Sequence, residues 1–395
     1  IKWIGEGWNY DTGLAQELDL LTNDLRRMKD PLKGLTLKEI KPFLIRVSGK
    51  HTMKTGCIYQ LRDVFRDYAA VFTRGSKNIS WKNIQFHFMH GMGLVCQFSE
   101  NLSFDSVTIA PDKASGRTSA AWADCMHFSG CKGKLLIKNC VLSGAHDDAI
   151  NVHGTYLSVV EKIADNQVKV RFMHKQTYGF MAFNRADEIE FVNQETYASH
   201  GVNRIKEAVL INPKEMLLTF EKPSPQGLAI GDAIENVTWT PEVEIRNCRV
   251  SWVPTHGFLL STRRKVLVEG NEFLATHMNA IHMAIDANSW YESGYVRDMT
   301  IRNNKFIRCA EPVIKIAPWN RIANSSVYQH IRIENNAFIL RNELIVKANS
   351  TDNLVVGGNT VYAEKKLNDK LSINTGDCKG PEVSQNKYII QPKKL

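Results

Sequence analysis

The sequence lacks the features that mark several classes of protein. No run approaches the ~18 unbroken apolar residues of a membrane-spanning helix, so we expect no membrane insertion. The eight cysteines form no CxxC pair, which argues against both a zinc site and a disulfide framework. Only 12 of the 395 residues are proline and 23% are charged, a composition typical of globular proteins rather than of disordered or collagen-like chains.

The chain also lacks a concentrated charge of either sign. It has 50 Lys and Arg against 41 Asp and Glu, a formal net charge of +9, but the basic residues occur singly or in twos and threes with acids between them. A nucleic-acid surface requires basic residues that cluster on one face, so we expect no nucleic-acid partner. The chain begins at Ile1 without a charged and then apolar leader, from which we expect a mature or truncated product.

One short phrase recurs along the chain: an alternating β run, then an asparagine, then another apolar or aromatic residue. The asparagines of eight copies are Asn83, Asn139, Asn247, Asn271, Asn304, Asn336, Asn359 and Asn386, and Ser106 takes this position in a ninth. Apart from one longer gap, successive copies lie about 23 to 33 residues apart, which is typical of one coil of a solenoid. Because each unit alternates with period two and cannot bury its apolar side alone, the sequence predicts an all-β fold, a right-handed parallel β-helix.

The recurring asparagines have a structural explanation. Asparagine tolerates left-handed backbone at a tight turn, and its amide can hydrogen-bond the asparagine of the next coil to make a ladder. We therefore expect these residues to hold the solenoid together and not to take part in chemistry.

The long gap between Asn139 and Asn247 predicts a second domain. The segment 155–240 contains several short strands joined by polar turns, which is typical of a small antiparallel β-barrel or sandwich. We therefore divide the β-helix into a first part, 46–154, and a second part, 241–395, with the barrel inserted between them.

The first forty-five residues, 1–45, are expected to form an N-terminal strand and a helical cap or loop. The opening IKWIGEGW favours a strand. The following LAQELDLLTNDLRRMK has helical apolar spacing and good helix formers, with Pro31 placed where a helix should end.

Ionisable residues concentrate in two blocks, ADCMHF around Asp124 and GAHDDAINVHG around Asp147 and Asp148. Asp147 follows Asp124 by 23 positions, about one coil, so stacking should bring the three carboxylates together. Like charges so close raise at least one pKa, which leaves one protonated acid and one ionised base. That pair is what inverting glycoside hydrolysis needs.

Other readings of the same cluster stay open. An oxygen-rich group of carboxylates also suits calcium, as in lyases built on this fold. The nearby His127, His146 and His153 could indicate zinc, although their spacing is not typical of a zinc site. A purely structural acidic patch is the third alternative.

The run SGCKGKLLIKNCVLSGAHDDAINVHGTYL, with ADCMHFSG before it, resembles glycoside hydrolase family 110, the exo-acting α-1,3-galactosidases of bacteria. It is more distantly similar to the family 28 polygalacturonases, whose Asp, Asp-Asp and Gly-His-Gly motifs are matched by Asp124, Asp147-Asp148 and Thr255-His256-Gly257. Thr255 replaces the first glycine of the last motif, and the uronate-binding Arg-x-Lys is only loosely matched at Arg263.

The resemblance implies that Asp147 is the general acid and that Asp124 and Asp148 activate the water. It also implies a secreted or periplasmic enzyme that needs no metal or organic cofactor. Polar and aromatic side chains around the acids are candidates for substrate binding. They are His127, His146, Asn151, His153, His256, Arg263, Glu311 and Trp319.

The function expected from these observations is removal of terminal α-1,3-linked galactose from an oligosaccharide or polysaccharide with inversion. One alternative is a polygalacturonase-like hydrolase or a calcium-dependent polysaccharide lyase. Another is a non-catalytic carbohydrate-binding solenoid. The sequence leaves open whether the acceptor is linear, fucosylated or sulfated, and whether the chain forms a homo-oligomer.

Overall fold

The structure is a computed structural model that describes residues 15–42, 44–61, 66, 68–323 and 327–391, and the backbone of Lys2–Trp3 and Trp8–Asn9. Most of these residues belong to a solenoid in which each coil contributes one strand to each of three sheets. Strands of successive coils pair in parallel, for example Met126 with Ile150 and Ile150 with Phe258. The predicted parallel β-helix is confirmed.

The three sheets are named here by their place in the coil. The floor sheet, which underlies the cleft described below, consists of Val71–Arg74, Leu94–Gln97, Met126–Ser129, the start of Ile150–Ala164, Phe258–Leu260, Ile281–Met283, Ile314–Ile316, Val346–Ala348 and Ile373–Asn374. The second sheet consists of Lys77–Lys82, Glu100–Asp105, Lys132–Lys138, Glu242–Arg246, Val266–Glu269, Met299–Arg302, Tyr328–Glu334, Thr351–Gly357 and Glu382–Ser384. The third sheet consists of Gln85–Phe86, Thr108–Ile109, Val141–Ser143, Arg249–Ser251, Glu272–Leu274, Lys305–Ile307, Ala337–Ile339, Thr360–Ala363 and Lys387–Ile390.

In the turn between the second and third sheets, the two roles expected of asparagine fall on two adjacent residues. One residue has left-handed backbone, and the next forms the amide ladder. The first position has positive φ in every coil and is occupied by Asn83, Ser106, Asn139, Asn247, Gly270, Asn303, Asn335, Gly358 and Gln385. The next position points inward and forms the amide ladder. At this position the Nδ2 of one asparagine donates to the Oδ1 of the asparagine in the following coil, at 2.9–3.1 Å. The ladder consists of Asn271, Asn304, Asn336, Asn359 and Asn386.

Inside the coils, aromatic side chains stack in register with the strands. Phe273 and Phe306 are 5.0 Å apart between ring centroids, and Phe306 and Phe338 are 4.8 Å apart, with nearly parallel planes. The same inward position therefore repeats from coil to coil, as the alternating sequence pattern requires.

The inserted domain leaves the floor sheet through one long strand, Ile150–Ala164, which continues from the solenoid into an antiparallel sheet. The other strands of that sheet are Gln167–Arg171, Glu188–Val192, Ser199–Asn212, Glu215–Phe220 and Ala233–Asn236. They enclose a separate apolar core that includes Val170, Phe191 and Phe220. Because one strand belongs to both domains, the position of the insertion is fixed relative to the coil that carries Asp147 and Asp148.

The helix predicted over LAQELDLLTNDLRRMK is wrong. Ala15–Asp19 and Asp24–Met28 are strands of an antiparallel hairpin, and Cys57–Leu61 pairs with the first of them. The side chain of Asp19 accepts the backbone N–H groups of Leu21 and Thr22, and Asn23 has φ 60°, so a tight turn replaces the helix. Helical spacing in a short apolar run did not distinguish the two structures.

The remaining N-terminal strands are Lys2–Trp3, Trp8–Asn9, Thr36–Lys41 and Leu44–Ser48. Most of the predicted strand at IKWIGEGW lies outside the described residues, which hold only two short segments there, paired antiparallel. The helices among the described residues are a 3-10 turn, Lys113–Ser115, and an α-helical turn, Asp369–Ser372. In the same part of the chain we find no helix with the length and apolar character to span a membrane.

The ladder predicts unequal effects for two neighbouring asparagines. Asn304→Ala leaves the buried N–H of Asn271 and the carbonyl of Val268 without their partners, so we expect the free energy of unfolding to fall by about 2 kcal/mol. Asn303→Gly, at an exposed position with φ 56°, should change it by less than about 1 kcal/mol. Urea unfolding of both variants tests the prediction, and an equal loss would contradict the ladder's role.

Candidate active site

A cleft of about 760 Å³ lies over the floor sheet. Arg27, on the hairpin strand Asp24–Met28, lines one side of the cleft. On this side the chain leads into the floor strands, and Arg27 donates to the carbonyl of His146. The inserted domain supplies residues 176–180 to the cleft, and segments that follow floor strands supply Trp290 and Trp319. The solenoid therefore forms the base of the cleft, and two other parts of the chain form its walls.

Coil stacking brings the three aspartates together. The backbone N–H of Cys125 donates to the carbonyl of Asp148 at 3.0 Å, which sets Asp124 beside Asp148. The N–H groups of His146 and Asp147 both donate to the carbonyl of Ala123 at 3.1 Å. This bend, rather than extended strand, lets both members of the pair face the cleft, and oxygens of all three carboxylates lie within 4.8 Å of one another.

Asp124 is held by a pair of histidines. The Nδ1 of His127 lies 2.7 Å from Asp124 Oδ2, and the Nε2 atoms of His127 and His153 lie 3.0 Å apart. His153 Nδ1 must donate to the carbonyl of Gly154 at 2.6 Å, so in a neutral His153 ring Nε2 accepts and His127 Nε2 donates. The Asp124–His127 contact then contains one shared proton.

The pKa values agree with this arrangement. Burial raises the pKa of Asp124 to about 6, with the hydrogen bond from His127 opposing the rise and the charge of Asp147 adding to it. Burial opposes the charged form of His127, but the hydrogen bond and charge of Asp124 outweigh it and raise the pKa of His127. Burial and the charge of His127 lower the pKa of His153 to about 3, which keeps that ring neutral.

Asp148 has the opposite electrostatic environment. Its Oδ1 accepts the backbone N–H of His256 at 2.9 Å and lies 3.1 Å from His256 Nδ1. His282 Nδ1 in turn lies 3.1 Å from His256 Nε2. Burial opposes ionisation of Asp148, but the charge and hydrogen bonds of His256 outweigh it and lower the pKa of Asp148 to about 2.

Asp147 is bound by two arginines. Arg27 Nη2 lies 2.9 Å from its Oδ1, and Arg66 forms an ion pair with its Oδ2. Asp63 and Asp67, which neighbour Arg66 in the sequence, lie outside the described residues. Arg66 itself lines the cleft, where the three aspartates raise its pKa although burial opposes this.

Three carboxylates this close together have the donor atoms to hold a cation. Five of their six oxygens, however, already accept donors from the protein: Arg27 and Arg66 on Asp147, His127 and the backbone N–H of Asp148 on Asp124, and His256 on Asp148. The chain's own donors therefore occupy most of the oxygens that a cation would need.

The structure brings some of the predicted binding residues to the cleft and separates others from it. His127, Asn151, His153, His256 and Trp319 line the cleft. Asn151 pairs in register with His127, is 5% exposed, and its Oδ1 has no hydrogen-bond partner among the described residues. Asn151 therefore lies beside the carboxylates with a buried acceptor that the described residues leave without a donor.

His146, Arg263 and Glu311 do not line the cleft, which corrects their expected role as direct binding residues. His146 is 2% exposed, and its Nε2 contacts Gln60 Oε1 at 2.7 Å. Arg263 joins the solenoid to the inserted domain through ion pairs with Glu190 and Glu235.

Glu311 has a structural task one coil away. Its carboxylate accepts four successive backbone N–H groups, those of Arg341, Asn342, Glu343 and Leu344, at 2.6–3.0 Å. It stabilises the loop 341–344, and among the described residues it forms no salt bridge with Lys315 or Arg321. Arg321 pairs with Glu195 instead.

The sequence interpretation missed two further ionisable residues of the cleft, the buried His282 and the half-buried Glu292. His282 follows His256 by 26 positions, the same separation as between His127 and His153, so coil spacing could have found it. Glu292 lies on a short strand that pairs antiparallel with Gly154 and Thr155, which no periodicity reveals. Its Oε1 lies 3.6 Å from His153 Nε2, and burial raises its pKa to about 7.

Comparison with known proteins agrees with the fold. The family model described as a right-handed β-helix region matches residues 232–389, and the model described as GLAA-B β-barrel domain II matches 167–234. A solved surface adhesin of Streptococcus pneumoniae, PfbA, covers 80% of this chain and 60% of its own at 14% identity with a TM-score of 0.33, a likeness too low to carry an argument.

Curated relatives match over nearly the whole chain. Alpha-1,3-galactosidase A of Bacteroides thetaiotaomicron is 41% identical over 99% of this chain and 70% of its own length. Alpha-1,3-galactosidase A of Akkermansia muciniphila is 41% identical over 95% of this chain and 63% of its own. Alpha-1,3-galactosidase B of B. thetaiotaomicron is 33% identical over 98% and 66%. The resemblance noted in the sequence is confirmed, and the chain belongs to the α-1,3-galactosidase family of glycoside hydrolases.

Proposed function

We propose that this protein hydrolyses a terminal α-1,3-linked galactose from a glycan, acting at the chain end and inverting the anomeric centre. The observation that carries the acid–base chemistry is the group of three carboxylates whose oxygens lie within 4.8 Å of one another, each with a different set of partners, in a chain of this family. Inversion rests on the assignment of two of these carboxylates to water. Different partners give neighbouring carboxylates different proton affinities, which acid–base catalysis requires.

Asp124 and Asp148 are suited to activate water. Asp148 stays ionised across the neutral range, because its pKa is about 2. Asp124 has a pKa of about 6, close to a working pH. Apart from this titration, one proton is shared in the hydrogen bond between Asp124 and His127. In the proposed step the water oxygen bonds to the anomeric carbon, and its proton passes to this pair of carboxylates.

Asp147 is the proposed proton donor. As the bond between the anomeric carbon and the leaving oxygen breaks, the Asp147 carboxyl gives that oxygen its proton. Arg27 and Arg66 each contact one of the two Asp147 carboxylate oxygens, so the bound sugar must replace at least one of these contacts before the leaving oxygen can reach Asp147.

The proposal is tested with purified protein and the disaccharide Gal-α-1,3-Gal, with and without a chelator. Release of free galactose in both samples is the expected result. No release from linear or branched α-1,3-galactosides would contradict the proposal, and a chelator-sensitive activity that leaves a double bond would support a calcium-dependent lyase instead.

If Asp147 is the general acid, the loss of activity in Asp147→Asn should depend on the leaving group of the substrate. Asp147→Asn should lower kcat/KM for the disaccharide by roughly 10²–10⁴-fold, the contribution typical of general acid catalysis. It should lower kcat/KM for α-galactosyl fluoride by less than about tenfold, because fluoride departs without a proton.

Asp148→Asn is the matched control for this comparison. It should reduce hydrolysis of both substrates, because water must be activated in either case. An equal loss on both substrates in Asp147→Asn would remove the acid role from Asp147.

The pH profile gives a second prediction. A base must be ionised, so kcat/KM should fall as pH decreases through about 6, where Asp124 takes up a proton. The hydrogen bond and charge of His127 lower the pKa of Asp124, so His127→Leu should move this acidic limb to higher pH. The exposed His87, outside the cleft, provides a control as His87→Leu. A limb that stays in place or moves to lower pH in His127→Leu would contradict the role of Asp124.

A further inference from the structure

The cleft contains large aromatic side chains that are not buried. Tyr178 and Trp290 are each 46% exposed and Trp319 is 60% exposed, and all three line the cleft. Tyr178 comes from the inserted domain, whereas the two tryptophans follow floor strands of the solenoid. Exposed aromatic rings that share one concave surface are typical of a binding site, and a flat ring face fits the apolar C–H face of a sugar.

The ring of Trp290 is held in place by other groups of the protein. The His174 ring of the inserted domain covers part of it, with 4.3 Å between ring centroids and 33° between the planes. The Asp286 carboxylate fixes the loop by accepting the backbone N–H groups of Asn288, Ser289 and Trp290 at 2.7–2.9 Å. A ring positioned in this way loses little freedom when a sugar binds.

Short contacts connect this loop to the three carboxylates. Glu292, two residues after Trp290, lies 3.6 Å from His153, which contacts His127 and through it Asp124. The backbone N–H of Trp319 donates to the carbonyl of Ile285, beside Asp286, at 3.1 Å. The aromatic rings and the reacting groups therefore belong to one cleft.

The lining of the cleft combines two kinds of group. Arg27, Arg66 and Asp147 are joined by ion pairs and suit the hydroxyl groups of galactose. Tyr178 and Trp290 present aromatic faces, as do Tyr68 and Phe72 at the first floor strand, which are 72% and 55% exposed. Of these four, Tyr178 belongs to the inserted domain and Trp290 stacks on its His174. A disaccharide with its galactose at the ion-paired group leaves its second sugar to the aromatic faces.

We propose that Tyr178 and Trp290 form the subsite for the acceptor sugar, the residue to which galactose is attached. Segment 174–180 of the inserted domain then determines which glycans are accepted, because it supplies Tyr178 and the His174 ring that supports Trp290. This inference rests on the proposed galactosidase activity and adds the part of the chain that selects the substrate.

The experiment compares two substrates that differ only in the presence of an acceptor sugar. The α-galactosyl fluoride has none, and the oligosaccharide is whichever of Gal-α-1,3-Gal and its fucose-branched trisaccharide the wild type cleaves faster. We expect Trp290→Ala to lower kcat/KM for the oligosaccharide by about tenfold or more, and for the fluoride by less than about twofold. Tyr178→Ala should act in the same direction, and Trp290→Phe should recover part of the loss.

Phe88→Ala provides a matched control, because Phe88 is an aromatic residue with 41% exposure that does not line the cleft. It should leave both substrates unaffected, and thermal unfolding should show that each variant is folded. Equal losses on both substrates in Trp290→Ala would overturn the inference, since the ring would then serve the galactose or the fold. No loss on either would overturn it as well. A wild type that cleaves neither substrate would instead refute the galactosidase activity itself.

Discussion

The rest of the structure depends on the parallel stacking of coils, which places residues a whole coil apart in sequence side by side in space. The backbone N–H of Cys125 reaches the carbonyl of Asp148, and that of Ala149 reaches the carbonyl of His256, 107 positions further along the chain. The buried amide ladder and the stacked aromatic rings keep successive coils in this register. Without fixed register, the carboxylates would not meet, so the structural residues of the turns and core are a condition for the chemistry.

Within the stacked coils, the partners of each aspartate decide what it can do. Asp148 is held ionised by His256, Asp124 shares a proton with His127, and Asp147 is bound by Arg27 and Arg66. Asp124 and Asp148, identical side chains a few ångströms apart, thus receive different proton affinities from the groups around them. Two of these partners, His127 and His256, each contact a second histidine one coil further on, so the solenoid repeat also builds the supporting contacts.

The sequence predicts those features that repeat or that arise from coil spacing. Recurring Asn positions indicate the solenoid, and the separation of Asp124 from Asp147 by about one coil is enough to place three carboxylates together. Spacing cannot place Arg27, because the hairpin that carries it reaches Asp147 from more than a hundred positions away and its residues have the apolar spacing of a helix. Glu292 is missed for a similar reason, since an antiparallel pairing with Thr155 leaves no periodic signal. Glu311 illustrates the opposite error: an acid in an apolar run caps backbone N–H groups and does not face the cleft.

The most direct test of this account is the anomeric configuration of the first galactose released, followed by time-resolved proton NMR. Two carboxylates that activate water while a third protonates the leaving oxygen predict that β-galactose appears first and α-galactose only later, by mutarotation. Initial release of α-galactose would contradict the account, because it would require one of the carboxylates to bond to the sugar.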